Sequence, residues 1–297
     1  MVTILALAAA VLYGTADFLG GVASRRANVF AVLATTVPAG AAVVLVVALL
    51  GEAPGLGGLL GHGLGSPTSM GWDAVGWAAV SGICGTAGLI AFYVGFAAAP
   101  ISVVAPVAAL VSTVLPVGIA IAGGERLTAR MLAGGLICLV AIVGVSMPAA
   151  RRDGPDAGAA RLRGLAYGAA AGAGFGLFFL CLKNAGQSGV LWPVAISRTA
   201  GTLVAVGIAV ATKTRPWRRD GSGTGVIALV SGAVDAAANV CYVLATRAGL
   251  FGLAVVITSL YPGMTVLLAR WVLGERMRWV QRAGLLLAAA GVVLLTT

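Results

Sequence analysis

The chain has 297 residues, of which 60% are hydrophobic and only 9% are charged, and its mean hydropathy is +1.04. An ordinary soluble domain carries about 25% charged residues, so this chain lacks the charges that a soluble surface of its size requires. The composition therefore excludes a soluble globular protein. It predicts an all-α integral membrane protein that crosses the cell membrane, an inner or plasma membrane, many times.

Apolar runs of about 20 residues predict about ten transmembrane helices. In chain order the runs cover residues 3–22, 29–50, 73–97, 100–123, 127–148, 163–183, 190–212, 224–246, 250–272 and 277–297. The first run begins without Lys or Arg. It therefore lacks the basic start of a cleaved signal peptide and is predicted to be a membrane helix.

The two halves of the chain repeat with an offset of 150 residues. Three separate matches share this offset: Val80-Ser81-Gly82 with Val230-Ser231-Gly232, Gly124-Glu125-Arg126 with Gly274-Glu275-Arg276, and Gly134 with Gly284. Because five helices are an odd number, the second half enters the membrane from the opposite side. We therefore predict two inverted five-helix repeats, 1–148 and 163–297, joined by a charged linker at 149–162.

The segments Gly123-Gly124-Glu125-Arg126-Leu127-Thr128 and Leu273-Gly274-Glu275-Arg276-Met277 resemble the motif between the last two helices of each half in EamA-type transporters. That family belongs to the drug/metabolite transporter superfamily, and the resemblance in length, helix number and duplication covers nearly the whole chain. It implies a secondary transporter that exports a small metabolite or drug. Within the motif we favour loop and capping roles for Glu125 and Glu275 over a role in transport, with Thr128 as a helix N-cap.

Basic residues are unevenly distributed among the predicted loops. Fourteen of the Lys and Arg residues lie in or beside odd-numbered loops and four in or beside even-numbered loops. The positive-inside rule therefore predicts cytoplasmic odd-numbered loops and extracytoplasmic termini, although the resembled family commonly has cytoplasmic termini. The basic residues lie next to helix ends without interleaved aromatic residues, which favours contact with anionic lipid over nucleic acid.

Three ionisable residues lie well within predicted helices: Asp17, Arg198 and Asp235. On insertion scales, a charge at the centre of the bilayer costs roughly 3 kcal/mol, so such residues usually have a function. Tyr13 lies one helical turn before Asp17 and shares its face. We predict that these four residues line a cavity for a substrate and protons.

A polar stripe follows one face of the eighth predicted helix at helical spacing: Ser231, Asp235, Asn239 and Tyr242. A lipid-facing stripe would be costly, so it is predicted to face the cavity. Pro106 and Pro116 in the fourth helix, and the segment 258–262 in the ninth, are predicted to interrupt both helices. Interruptions at corresponding positions indicate a binding site, which adds Thr258 and Tyr261 to the predicted cavity.

Two interpretations of the charged residues remain open at this point. In one, Asp235 and Arg198 form a buried ion pair that locks helices together, and Asp17 reaches interfacial water. In the other, the charged groups line a transport cavity and a carboxylate exchanges a proton. A carboxylate without a cation partner is the better proton carrier, so Asp17 is the candidate if Arg198 pairs with Asp235.

The sequence contains none of the common catalytic motifs, such as H-E-x-x-H, a nucleophile elbow or a phosphate loop. The four cysteines are widely spaced and His62 is the only histidine, so no metal site is predicted. We predict no enzymatic activity, no cofactor and no nucleic-acid partner. The expected partners are a small-molecule substrate, protons and membrane lipid, and a homodimer is left open.

Two further classes of function remain as alternatives. One is a non-transporting membrane scaffold or regulatory protein, and the other, less favoured, is a membrane-embedded enzyme. The substrate is not defined by the sequence. Aromatic residues make up only 6% of the chain, which disfavours a large aromatic cage for an organic cation, although a few rings suffice for one.

Overall fold

The computed structural model describes residues 1–24, 26–51, 70–98, 101–125, 128–145, 157–214, 223–273 and 279–296. The α-helices in this part of the chain are α1 (Val2–Ser24), α2 (Val29–Gly51), α3 (Trp72–Ala98), α4 (Ile101–Ala122), α5 (Ala129–Val145), α6 (Ala157–Ala185), α7 (Leu191–Ala211), α8 (Thr224–Arg247), α9 (Phe251–Thr258), α10 (Tyr261–Leu273) and α11 (Trp279–Thr296). A short 3-10 turn, Gly186–Ser188, follows α6. These helices occupy all ten predicted apolar runs.

Six of these helices are long and apolar enough to cross a membrane, and four further apolar stretches are shorter. Large apolar side chains lie on the outer surface, for example Leu203, Val210 and Leu286, which are 71%, 71% and 73% exposed. Such side chains would destabilise a soluble protein, whereas lipid covers them at no cost. The chain is therefore an all-α, multi-pass membrane protein, as predicted.

Two of the predicted boundaries and interruptions are wrong. α6 begins at Ala157, inside the segment 149–162 that was predicted to be a linker, because its Ala-rich start has high helix propensity. α4 is continuous past Pro106 and Pro116, since membrane helices tolerate proline where neighbouring groups or small local adjustments satisfy the freed backbone carbonyl. In the turn before Pro116, the hydroxyls of Ser112 and Thr113 both donate to the carbonyl oxygen of Ala109, at 3.0 and 2.7 Å, so these buried polar side chains are satisfied within the helix.

The predicted interruption of the ninth run is confirmed, because α9 ends at Thr258 and α10 begins at Tyr261. Ser259 lies in the break, and its hydroxyl donates to the carbonyl oxygen of Val255 at 2.8 Å. Pro262 lies in the first turn of α10, where proline removes no helical hydrogen bond. The break therefore divides this span into two short helices.

The repeated Val-Ser-Gly tripeptide makes the same hydrogen bond in both halves of the chain. In α3, the hydroxyl of Ser81 donates to the carbonyl oxygen of Phe178 in α6 at 3.1 Å. In α8, the hydroxyl of Ser231 donates to the carbonyl oxygen of Ala16 in α1 at 2.8 Å. The two bonds join equivalent helix pairs, α3 with α6 and α8 with α1. A hydrogen bond between membrane helices contributes about 0.6 kcal/mol to stability on average.

The glycine that follows each serine allows a further helix to approach closely. A Cβ atom built on Gly82 would overlap the carbonyl oxygen of Ser197 in α7, and one built on Gly232 would overlap that of Thr36 in α2. Only glycine fits at either position. The pairs α3–α7 and α2–α8 are therefore in backbone-to-backbone contact, as is typical of small-residue interfaces in membranes.

Glu125 and Thr128 stabilise helix starts, as predicted for this motif. The backbone N–H of Gly252, in the first turn of α9, donates to Oε1 of Glu125 at 2.8 Å. The backbone N–H of Met131 donates to the hydroxyl of Thr128 at 3.2 Å, so Thr128 is the N-cap of α5. These bonds support the structural interpretation of Glu125. Glu275 lies outside the described residues.

We predict that Gly82→Ala and Gly232→Ala each lower the free energy of unfolding by about 1–3 kcal/mol, because the added methyl group overpacks a backbone contact. Thermal unfolding of the purified variants in detergent measures this. The matched controls are Gly76→Ala in α3 and Gly225→Ala in α8, where an added Cβ meets no atom within 4 Å. Equal unfolding temperatures for test and control variants would contradict the backbone contacts.

Candidate substrate-binding cavity

A cavity of about 110 Å³ lies between the helices, lined by residues of α1, α2, α3, α6, α7, α8 and α10. Its volume is several times what one ordered water requires. One wall is polar and contains five of the predicted site residues: Tyr13, Asp17, Arg198, Asp235 and Tyr261. The rest of the lining is mainly apolar. The cavity is therefore amphipathic and is formed by helices from both halves of the chain.

An ion pair between Arg198 of α7 and Asp235 of α8 crosses the polar wall, joining Nη2 to Oδ2. The same guanidinium nitrogen also donates to the backbone carbonyl oxygen of Asp235 at 3.4 Å. The two side chains are only 12% and 24% exposed, so the surroundings screen the charges weakly and favour their pairing. The pairing that the sequence left open therefore exists in this structure.

Asp17 of α1 contributes the other charged side chain of the described lining. Its side chain is half-buried. Among the residues that the structure describes, no hydrogen-bond donor and no cation pairs with its carboxyl group. Since Arg198 is held by Asp235, this carboxyl group is the one in the polar wall that lacks a neutralising partner.

Tyr13 connects the polar wall to the apolar one. Its hydroxyl donates to Oδ1 of Asn239 at 3.0 Å. Its ring makes edge-on contacts with Phe179 and Tyr261, with centroids 5.9 and 6.4 Å apart. α10 is held near this point because the hydroxyl of Thr265 donates to the carbonyl oxygen of Gly14 at 3.1 Å. The contacts with α1 and α10 bring Tyr13, Asp17 and Tyr261 to one side of the cavity.

The remaining stripe residues of α8 are buried in helix contacts and lie outside the cavity lining. Ser231 bonds to α1, as described above. The side-chain nitrogen of Asn239 donates to the backbone oxygen of Asp235 at 2.6 Å, and its oxygen accepts from Tyr13. The hydroxyl of Tyr242 donates to the carbonyl oxygen of Phe179 at 2.9 Å. Neighbouring helices thus satisfy these groups, and within the stripe Asp235 is the residue that reaches the cavity.

Thr258 is also buried away from the cavity lining, at the last position of α9. Among the described residues, its hydroxyl has no hydrogen-bond partner. The break between α9 and α10 comes immediately after Thr258 in the chain. A role for Thr258 in the transport path stays a prediction.

The apolar wall was not predicted from the sequence. It consists mainly of side chains from α3 and α6: Leu89, Phe92, Phe175, Phe178 and Phe179. The rings pack against one another, with centroids 5.8 Å apart for Phe92 and Phe175 and 5.2 Å apart for Phe178 and Phe179. Phenylalanines in an already apolar helix create no contrast in hydropathy, so periodicity does not reveal them.

Among the described residues, six aromatic rings line the cavity when Tyr13 and Tyr261 are added to the four phenylalanines. This corrects the expectation from the low overall aromatic content. Composition reports how many rings the chain contains and not where the fold places them. The cavity therefore has the aromatic surface that the composition disfavoured.

Three contacts tie the start of α9 and the end of α8 to the rest of the bundle. Besides the bond from Gly252 to Glu125, the ammonium group of Lys183 lies 5.3 Å from the centroid of the Phe251 ring. The guanidinium group of Arg247 donates to the carbonyl oxygen of Gly186 at 2.9 Å. The end of α6 and residue Glu125 therefore contact the first turn of α9, and the end of α8 is joined to the turn that follows α6.

Comparison with known proteins supports the family suggested by the motifs. Residues 162–297 match the EamA-like transporter family, which belongs to the drug/metabolite transporter superfamily and is the family that the motifs predicted. No curated protein matches the chain in sequence. A solved structure described as "Crystal structure of protein" is 19% identical with a TM-score of 0.73, and the match covers 99% of this chain and 96% of that one. At this identity the likeness shows the fold alone.

We predict that Arg198→Gln and Asp235→Asn each lower the free energy of unfolding by about 3 kcal/mol, because each leaves a buried charge unpaired. The double variant should be less destabilised than the sum of the two single variants, since it leaves no charge behind. Thermal unfolding in detergent measures all three. Arg163→Gln, at an exposed position of α6, is the control. Strict additivity of the two substitutions would contradict the ion pair.

Proposed function

We propose that this chain, whose residues 162–297 belong to the EamA-like transporter family, is a secondary active transporter that exports a small metabolite or drug in exchange for protons. The observation that carries the proposal is the central cavity, which is lined by Asp17, by the Arg198–Asp235 ion pair and by the aromatic wall. Ionisable groups at this depth in a membrane protein are costly and typically belong to a substrate or proton path.

The internal repetition supports an alternating-access mechanism. Ser81 with Gly82 in α3, and Ser231 with Gly232 in α8, make equivalent contacts with helices of the opposite half. This exchange of contacts between 1–148 and 163–297 is what two inverted repeats produce. Two such repeats allow one bundle to close at either membrane face around a fixed central site.

Proton coupling is assigned to Asp17 because the two carboxylates of the cavity have different surroundings. Asp235 is paired with Arg198, so its carboxylate already has a counter-charge. Asp17 has no such partner among the described residues, and a carboxyl group without a cation partner is the better proton carrier. The cavity therefore contains one carboxyl group suited to take up and release a proton during transport.

Transport itself is tested by counterflow in proteoliposomes. The purified protein is reconstituted, and vesicles loaded with unlabelled amino acids, cationic drugs or sugars are assayed for uptake of the matching labelled compound, with and without a pH gradient. We expect one class to accumulate above protein-free vesicles and the gradient to drive its net movement. Failure of every class, with protein that is folded and correctly inserted, would favour a non-transporting scaffold.

We predict that Asp17→Asn abolishes proton-driven net transport while the protein still folds, because the amide keeps the size of the side chain but does not titrate. Exchange of substrate for substrate should persist. The measurement is transport by purified protein under a pH gradient, with Asp73→Asn at the exposed start of α3 as the matched control. Wild-type rates in folded Asp17→Asn protein would show that Asp17 is not the coupling residue.

We predict from the loop charges that both termini lie outside the cytoplasm. A phosphatase fused after Thr297 should be active, and a fluorescent protein of the kind that matures only in the cytoplasm should be dark at the same position. As a control, both reporters are placed in the basic segment 213–219, where the outcomes should be reversed. A bright C-terminal fluorescent fusion would assign the opposite orientation.

A further inference from the structure

We infer that the ligand of this cavity is an organic cation with an aromatic or similarly bulky apolar group. Its positive charge lies next to Asp17, and its apolar group lies against the rings of α3 and α6. The inference deepens the proposed function and depends on it for one point, that the substrate binds in this cavity.

The charges of the lining favour a cation over the other ligand classes. Three described lining residues are charged, and Arg198 and Asp235 neutralise each other. With Asp17 ionised, the cavity carries one negative charge that the protein leaves uncompensated. A ligand with one positive charge compensates it in surroundings where water screens charges weakly.

Arg198 is not available to bind an anionic group. Its guanidinium group contacts both the carboxylate and the backbone carbonyl oxygen of Asp235. A carboxylate on the ligand would have to replace Asp235 in this pair, which would leave that residue buried with its own charge unpaired. The cavity therefore disfavours anions and also zwitterions, whose carboxylate finds no free cation among the described residues that line it.

The aromatic wall favours a particular kind of cation. The rings of Phe92 and Phe175 lie edge-on at 5.8 Å, and those of Tyr13 and Phe179 lie edge-on at 5.9 Å. Ring edges and faces attract other aromatic groups in these geometries, and ring faces also attract cations. A small hydrophilic cation would leave this wall without contacts, so an apolar group attached to the charge completes the fit.

The test is equilibrium binding by calorimetry to the purified protein in an uncharged detergent, at mildly alkaline pH. The ligands share a phenyl group and differ in charge: 3-phenylpropylammonium, 3-phenylpropan-1-ol, 3-phenylpropanoate and zwitterionic phenylalanine. We expect the ammonium to bind at least about tenfold more tightly than each of the others. Equal or tighter binding of the alcohol, the carboxylate or phenylalanine would overturn the inference, and so would the absence of ammonium binding.

Two variants locate the effect. In Asp17→Asn the ammonium should lose its advantage over the alcohol, whereas Asp73→Asn, at an exposed position, should keep it. Phe175→Leu should weaken the binding of the ammonium and of the alcohol by a similar factor. A full preference for the ammonium in folded Asp17→Asn protein would overturn the inference. If Asp17→Asn does not fold, Asp17→Glu provides the test, and it should retain the preference.

The outcomes separate this inference from the proposed function, because binding in detergent requires no transport. Selective ammonium binding together with no counterflow of any class would leave the inference standing and remove the transporter proposal. Counterflow of a compound class, without preferential binding of the ammonium, would overturn the inference and leave the transporter proposal standing.

Discussion

The Arg198–Asp235 ion pair determines the character of the cavity. It joins α7 to α8 and neutralises two of the three charges that the described lining contains. Breaking such a pair is costly because each partner would remain buried without its counter-charge. The pair therefore neutralises these two charges and leaves Asp17 as the charged group of the described lining that can respond to a proton or to a cation.

The packing around this pair follows from the lack of water in the membrane, where each polar group needs a partner within the protein. Ser231 and Tyr242 on α8 use carbonyl oxygens of α1 and α6, and Asn239 bonds to Tyr13. These bonds fix α8 between its neighbours. Asp235, on the same face, is thereby directed towards the cavity and towards Arg198.

The sequence alone predicts the features that produce a contrast in hydropathy. Apolar runs located the helices, and the rare charges within them located Asp17, Arg198 and Asp235. The N-cap at Thr128 and the break after Thr258 followed from local chemistry. The aromatic wall was missed because phenylalanine does not stand out in an apolar helix. Helical spacing placed Ser231, Asn239 and Tyr242 on one face, but spacing does not distinguish a neighbouring helix from a water-filled cavity.

The equivalent serine contacts also indicate how the two halves of the chain diverged after duplication. Ala16 and Phe178 accept corresponding hydrogen bonds, so the next residues, Asp17 and Phe179, occupy corresponding places, and both line the cavity. The same comparison pairs Asp235 with Gly85, which also lines it. In the proposed duplication, both copies thus retained the residues that join helices, whereas the cavity positions diverged, so that an aspartate in one half corresponds to a phenylalanine or a glycine in the other. Duplication of an ancestral gene that encoded one half thus gives rise to an asymmetric pocket, while the contacts between the helices stay unchanged.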